Sequence, residues 1–336
     1  MAGLPRDGSA GPDRAEETVR NAFRGIVLNI AGKPTPATNQ QKLQIRPQRQ
    51  NILKALPVEI SPLRRALAGR LAAAGIDNAV KEADWLIEEV SGLGRAYLLA
   101  HGDHRLTGRQ GDWLADAVRR RLKREPLQYI LGTTSFYGRE FSVTPSVLIP
   151  RPETELLVEK ALEGLPGGAH VLEVGAGSGC VAISLALERP DLKVSAVDIS
   201  EDALKVARQN AAELGAGVLF YTGDVFEDDW IKGPDASLDL LVSNPPYVPL
   251  EDQPELEPEL AFEPSQALFV ENGPGPFIER LGLVGCRLLK PGGRLMIETH
   301  APEAEASLEY LRIQGYRDPH TVEDLSRRPR VLVGTR

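Results

Sequence analysis

A chain of 336 residues, 42% hydrophobic and 26% charged, is long enough for two domains and at least one large core. Its formal net charge of −8 argues against a protein that lives on bulk nucleic acid, and no apolar run reaches the roughly 18 residues of a membrane span. Cys180 and Cys286 cannot build a disulfide framework or a cysteine zinc site, a usage that fits a reducing cytoplasm.

Residues 1–57 scatter Gly, Pro, Gln and charge around one apolar patch at Phe23–Ile30, which predicts a disordered extension. The segment has neither the basic start and apolar stretch of a signal peptide nor the acid-poor composition of a transit peptide. From residue 58 the pattern changes. Ser61-Pro62 predicts a helix start, Leu63, Leu67, Leu71 and Ala74 recur at helical spacing, and Gly75 ends the run. A second helix is expected to bury Val80, Ala83, Ile87 and Val90, and a third Trp113, Leu114, Ala117, Val118 and Leu122. The third ends in "RRRLKR" (119–124), readable as a phosphate-binding patch or as a solvated helix end whose cations suit the macrodipole; we favour the second. His101 and His104 lack further ligands and read as loop histidines; no metal site is expected.

"SFYGREFSV" predicts a hairpin with Gly138 in its turn, and "RPETELLVEKAL" a helix with Pro152, Glu153 and Glu155 in its first turn. Strand and helix patterns then alternate: "HVLEVG", "CVAISLALE", "KVSAVD", "EDALKVARQNAAEL", "GVLFYTGD", "LDLLVSNPPY", "FIERLGLVGCRLL", "RLMIETH", "EASLEYLRIQG" and "RVLVGTR". Such alternation predicts an α/β fold whose mostly parallel sheet carries helices on both faces, with ligands beyond the carboxyl ends of its strands. The expected division is 1–57 extension, 58–132 helical domain and 133–336 catalytic domain opened by the hairpin.

"VGAGSG" puts Gly175, Ala176, Gly177, Ser178 and Gly179 at a strand-to-helix turn where a ligand can touch the backbone. Alone this is a weak signal, since a purely structural turn looks the same. The spacing is not that of dinucleotide enzymes, and the Lys-Ser/Thr of a phosphate-cradling loop is absent. Asp198 ends the next strand, where a carboxylate accepts both ribose hydroxyls of an adenosine. Val225, beside Asp224 after the third strand, is placed to pack on an adenine face, and Glu173 reads as a contact to a ligand ammonium or as a buried structural acid. A glycine loop without phosphate chemistry, a ribose carboxylate and an apolar adenine contact together point to S-adenosyl-L-methionine.

The fourth strand runs into "SNPPYV", and two prolines there end the sheet ladder and fix the chain. A planar amide or amino nitrogen is a poor nucleophile. The Asn244 side-chain oxygen and the Pro245 carbonyl are suited to hold its two N–H groups, with Tyr247 over its flat face and Pro246 stiffening the turn. The order of "EPLQYILGTTSFYGREFSVTPSVLIPRPETELLVE", "VLEVGAGSGCVAISLA", "AVDIS", "SNPPYV" and "FEPSQALF" resembles the HemK/PrmC family, the protein-(glutamine-N5) methyltransferases of release factors. The resemblance covers residue 60 to the end. It implies a class I adenosylmethionine-dependent methyltransferase, Rossmann-like with a mostly parallel seven-stranded sheet, and a small N-terminal helical domain that helps dock the partner.

It further implies cofactor binding at Gly175–Gly179, Asp198, Val225 and Asn244, and a substrate glutamine, in the Gly-Gly-Gln loop of the factor, against Asn244, Pro245, Pro246 and Tyr247. Catalysis falls to Asn244, Pro245 and Tyr247. Expected with it are a cytoplasmic monomer, peptide chain release factors as protein partners, and no direct contact with nucleic acid or membrane. The sequence departs from the family at "VENGPGPF" (270–277), where the family loop is more acidic, and before residue 58. The runner-up is a methyltransferase of adenine N6 or guanine N2, since those nitrogens share the planar chemistry. A non-catalytic scaffold is the third reading.

Overall fold

In the computed structural model, which describes residues 59–231, 234–271 and 273–336, the first helices form where leucine recurs every fourth position. Leu63, Leu67 and Leu71 line the buried stripe of α1 (Ile60–Ala73), and Gly75 turns the chain away at φ 74°. The helix starts at Ile60, with Glu59 rather than Ser61 in the capping position. The extension expected over 1–57 lies outside the described residues. Helices α2 (Ala79–Ser91), α3 (Arg95–Ala100) and α4 (Gly108–Arg121) follow, and Thr107 closes a capping box with Gln110.

Two details differ from the pattern read off the sequence. Val80 is 54% exposed and Trp113 is 37% exposed, while Glu82 and Arg121 are buried in their place. Arg121 Nε donates to Glu82 Oε2 at 2.6 Å, so an ion pair fills part of this small core. The basic run is thereby largely neutralised: Arg119 pairs with Asp116, Arg120 with Glu125, and Arg124 Nη1 donates to the Gly75 carbonyl at 2.8 Å.

The chain divides into two units between Ile130 and Leu131, within α5 (Leu127–Leu131). The second unit opens with the hairpin β1 (Thr133–Phe136) and β2 (Arg139–Ser142). Tyr137 and Gly138, at φ 49° and 72°, make its two-residue turn. Glu155 lies in the first turn of α6 (Thr154–Leu162), as expected, and also accepts the Tyr137 N–H at 2.8 Å, which ties the turn to that helix. Then come β3 (His170–Val174), α7 (Cys180–Glu188), β4 (Lys193–Asp198), α8 (Glu201–Leu214), β5 (Val218–Thr222) and β6 (Leu238–Ser243). The short pair β7 (Val248–Pro249) and β8 (Phe269–Val270) brackets α9 (Ser265–Leu268). The chain closes with α10 (Gly275–Leu288), β9 (Leu289–Glu298), α11 (Ala304–Ile313), β10 (Arg317–Glu323) and β11 (Pro329–Thr335).

Seven of these strands form one sheet in the order β10-β11-β9-β6-β3-β4-β5, in which β5, β4, β3, β6 and β9 are parallel and β11 runs antiparallel to both neighbours. This is the α/β methyltransferase fold. The central strands are apolar at almost every position because both faces are covered. Val171, Leu240, Val242 and Met296 face a core shared with α6, α7 and α8; Leu172, Leu241, Leu295 and Ile297 face one shared with α10 and α11. Each such Leu or Ile contributes roughly 1.5–3 kcal/mol by leaving water. The chain order reverses between β4 and β6 on either side of β3, which opens a crevice at the carboxyl ends of these strands.

Candidate active site

That crevice holds a cavity of about 270 Å³, lined among others by Gly175, Ala176, Gly177, Ser178, Asp198, Val225, Asn244, Pro245 and Pro246. Three segments distant in sequence therefore line one cavity. Gly179 and Tyr247, also expected at the site, are not among the lining residues. Thr154, Arg151, Phe277 and Leu281 line it without having been picked out from the sequence.

The glycine loop is stitched to β4: the Gly175 and Ala176 N–H groups both donate to the Val197 carbonyl, at 2.8 and 3.1 Å. Gly175, Gly177 and Gly179 have φ of 83°, 53° and 80°, a region that side chains with a Cβ resist. A Cβ on Gly179 would stand 2.9 Å from Ile183 Cδ1 and 3.1 Å from Ala207 Cβ, so this glycine lets α7 pack rather than facing the crevice. Asp198 accepts the Gly177 N–H through Oδ2 and the Ser200 N–H through Oδ1, both at 2.8 Å. Burial raises its pKa, and those N–H groups pull it back. Each oxygen keeps a lone pair for a hydroxyl donor, which is the acceptor set that a ribose diol requires. Glu173 is buried, accepts the Ala182 N–H at 2.9 Å, and is pushed up to about 8 by desolvation. Burial and Glu173 also push the Cys180 thiol far up, so it is no nucleophile.

On the far side of the cavity the Val225 carbonyl accepts from Arg280 Nε at 2.6 Å, and Phe226 meets Phe277 edge to face at 4.9 Å. The apolar wall expected from Val225 alone thus includes Phe277 and Leu281 of α10, a segment with no local sequence signal for a site. Pro274 precedes that helix within the divergent 270–277 stretch, and a Cβ on Gly275 would meet the Tyr310 hydroxyl at 2.9 Å.

At the end of β6, Ser243 Oγ donates to the Val174 carbonyl at 2.7 Å, which locks this strand end beside the glycine loop. Asn244 Nδ2 donates to Thr154 Oγ1 at 3.2 Å, leaving Oδ1 as an acceptor. Pro245 is buried, so the turn has little freedom. Tyr247 lies parallel to His300 with ring centroids 5.9 Å apart, and its phenol is pushed up to about 12 by burial and by the Glu298 charge. It stays protonated near neutrality. Among the described residues, the acidic groups lining the cavity are Glu173, Asp198 and Asp224, and a methyl acceptor held by fixed acceptors needs no strong base before transfer.

Residues 63–132 match the family described as PrmC N-terminal domain, and residues 166–327 match a methyltransferase domain. The release factor glutamine methyltransferase of Geobacter sulfurreducens is 41% identical over 280 residues, spanning 82% of this chain and 97% of that protein. The chain belongs to the HemK/PrmC family. Its relative from Bordetella pertussis, also a release factor glutamine methyltransferase, is 43% identical over 256 residues, covering 75% of this chain and 93% of its own. The crystal structure of a release-factor-specific protein-(glutamine-N5) methyltransferase from Alicyclobacillus acidocaldarius is 30% identical, with 58% of this chain and 99% of that one covered at a TM-score of 0.34.

Proposed function

We propose that this HemK/PrmC chain methylates the side-chain amide nitrogen (N5) of the glutamine in the Gly-Gly-Gln motif of peptide chain release factors, with S-adenosyl-L-methionine as donor. The observation that carries this reading is the opening of the Asn244-Pro245-Pro246 turn into the same cavity as the Gly175–Ser178 loop and Asp198. The donor brings an electrophilic methyl group on a sulfonium, so the chain needs no nucleophile of its own. Its residues hold and orient. Gly175, Ala176, Gly177, Ser178, Asp198 and Val225 hold the donor, and Gly179 supports the loop from behind.

Asn244 Oδ1 and the Pro245 carbonyl accept the two N–H groups of the substrate amide. That draws electron density onto its nitrogen and fixes the direction of its lone pair. Orientation of this kind is worth about 7–11 kcal/mol in the best intramolecular cases. Pro246 stiffens the turn, and Tyr247, braced by His300, closes its outer side. The amide gains acidity on methylation and then releases its proton. In this reading the N-terminal helical unit docks the factor, the enzyme acts as a monomer, and the reaction takes place in the cytoplasm, where release factors work. Among the described residues no helix is long and apolar enough to cross a membrane.

The test is transfer of methyl label from the cofactor to an intact release factor or to duplex DNA, assayed side by side. Label in the factor and none in DNA is the expected result. Label in DNA alone would instead establish an amino-methyltransferase of nucleic acid built on the same turn.

A further inference from the structure

The far wall of the cavity is held by a residue that is not among those lining it. Arg280 follows Phe277 by three positions on α10 and precedes Leu281 by one, so all three lie on one side of that helix. Phe277 and Leu281 line the cavity, whereas the Arg280 side chain, mostly buried, reaches the turn that follows β5. Its Nε donates to the Val225 carbonyl at 2.6 Å, and its Nη2 donates to the Glu227 carbonyl at 2.8 Å and to Asp228 Oδ1 at 2.5 Å. The two carbonyls flank Phe226, an aromatic that lines the cavity and is still 46% exposed. We propose that Arg280 is a positioning residue for the adenine ring of S-adenosyl-L-methionine, acting through the Val225–Glu227 turn to set the apolar wall on which the base lies. The proposal rests on the placement of the donor given above and not on the identity of the methyl acceptor.

The turn has local support of its own. Asp224 Oδ1 accepts the Phe226 N–H at 2.9 Å, and the buried Trp230 donates its indole N–H to the Glu227 carbonyl at 2.8 Å. Trp230 also packs on Gly223, where an added Cβ would stand 2.3 Å from the tryptophan Cβ. These contacts shape the turn within itself; Arg280 ties it to α10. A guanidinium suits the task because its donors form a rigid fork that can hold two carbonyls at once, which a lysine cannot. Both bonds to carbonyls are charge-assisted and so stronger than neutral ones. The Asp228 carboxylate is 66% exposed, and its ion pair contributes little.

Held in this way, Val225 and Phe226 from the turn and Phe277 and Leu281 from the helix form one apolar surface, with the two rings edge to face at 4.9 Å. A half-exposed aromatic at a cavity wall is suited to cover a flat ring such as a purine. The groups assigned to the rest of the donor, Asp198 and the Gly175–Ser178 loop, stand on other segments and do not depend on Arg280. Loss of the guanidinium should therefore cost contact with the base and spare the ribose and amino-acid ends. A guanidinium that merely braced α10 would instead weaken every part of the donor alike, or none of it.

The experiment compares three ligands by calorimetry, direct or by displacement, on the full chain. S-adenosyl-L-homocysteine carries base, ribose and amino acid; methylthioadenosine lacks the amino acid; S-ribosyl-L-homocysteine lacks the base. Arg280→Met should lose roughly 10-fold or more in affinity for the two ligands that carry adenine. Its affinity for S-ribosyl-L-homocysteine should stay as in wild type. With an intact release factor, KM for the donor should rise by the same factor while kcat at saturation stays within about twofold. Arg280→Lys, which keeps the charge without the fork, should fall between Arg280→Met and wild type. Phe277→Leu should weaken the adenine-bearing ligands several-fold and spare the third. Unchanged affinity of Arg280→Met for S-adenosyl-L-homocysteine, or an equal loss for S-ribosyl-L-homocysteine, would overturn the proposal. If Arg280→Met does not fold, the same ratios in Arg280→Lys and Phe277→Leu decide. No binding of S-adenosyl-L-homocysteine by the wild-type chain would overturn the donor placement and the role of Arg280 together. The predicted ratios without transfer to any release factor would support Arg280 and overturn the assigned reaction alone.

Discussion

Asn244 and Asp198 both reach the crevice, yet removing each should fail differently. Asn244→Ala deletes the acceptor for the substrate amide and leaves the glycine loop untouched; kcat should fall by roughly 10²-fold or more while cofactor affinity hardly moves. Turnover within twofold of wild type in a steady-state assay would remove the amide clamp from the account. Asp198→Ala takes a charge-assisted acceptor from the donor site and should weaken cofactor binding by about 1.5–3 kcal/mol, read by calorimetry. That variant also frees the Gly177 and Ser200 N–H groups, so its melting temperature should be recorded alongside. Glu298 carries a pH signature in stability. Its folded value of about 7 lies above the ordinary 4.5, so the folded state is favoured by its proton. The stability it contributes is complete below about pH 4.5 and is lost as pH rises through about 7. Glu298→Gln should therefore unfold at higher denaturant than wild type at pH 8, by an amount approaching ~3 kcal/mol, and at a similar concentration at pH 4. A constant difference across pH would show that the carboxyl is not desolvated.

At the scale of elements, the buried Glu82–Arg121 pair joins α2 to α4 and replaces leucine-like packing. Arg121→Met strands a carboxylate in the helical core and should cost about 3–5 kcal/mol in urea denaturation, while the double variant Glu82→Leu/Arg121→Met should recover most of it. Equal losses in both would place the energy elsewhere. This pair also marks where the sequence stops being legible. Helical periodicity located α1, α2 and α4, but it put Val80 and Trp113 inside, because a charge pair buried between helices carries no apolar signal. The central strands were readable as runs of Val, Leu and Ile. The edge strand β10 (Arg317–Glu323) was not, since it is half-exposed, polar and interrupted by Pro319 and by Asp318 at φ 49°. β9 begins at Leu289 rather than at Arg294, its first residues absorbed by a register shift opposite Leu238–Leu240. Within the site, the glycine loop, Asp198 and the Asn-Pro-Pro turn are local motifs and were readable. Thr154 and Phe277 reach it from other elements, and only the folded chain shows them there.

Considered whole, the molecule has two units with different work to do under the assigned reaction. A folded release factor presents far more surface than one glutamine, and docking energy gained away from the reacting amide serves to orient it. A short Gly-Gly-Gln peptide should therefore be a poorer substrate than the intact factor, by roughly 10²-fold in kcat/KM. Turnover should also depend only mildly on salt, whereas a nucleic-acid enzyme would lose affinity steeply. Equal turnover of peptide and factor would mean that recognition is confined to the crevice. The most direct measurement is fragmentation mass spectrometry of an intact release factor after incubation with the enzyme and S-adenosyl-L-methionine. One added methyl group, on the glutamine of the Gly-Gly-Gln peptide and absent with Asn244→Ala, is the result this account predicts. A methyl group on any other residue, or one that persists at full yield with Asn244→Ala, would contradict it.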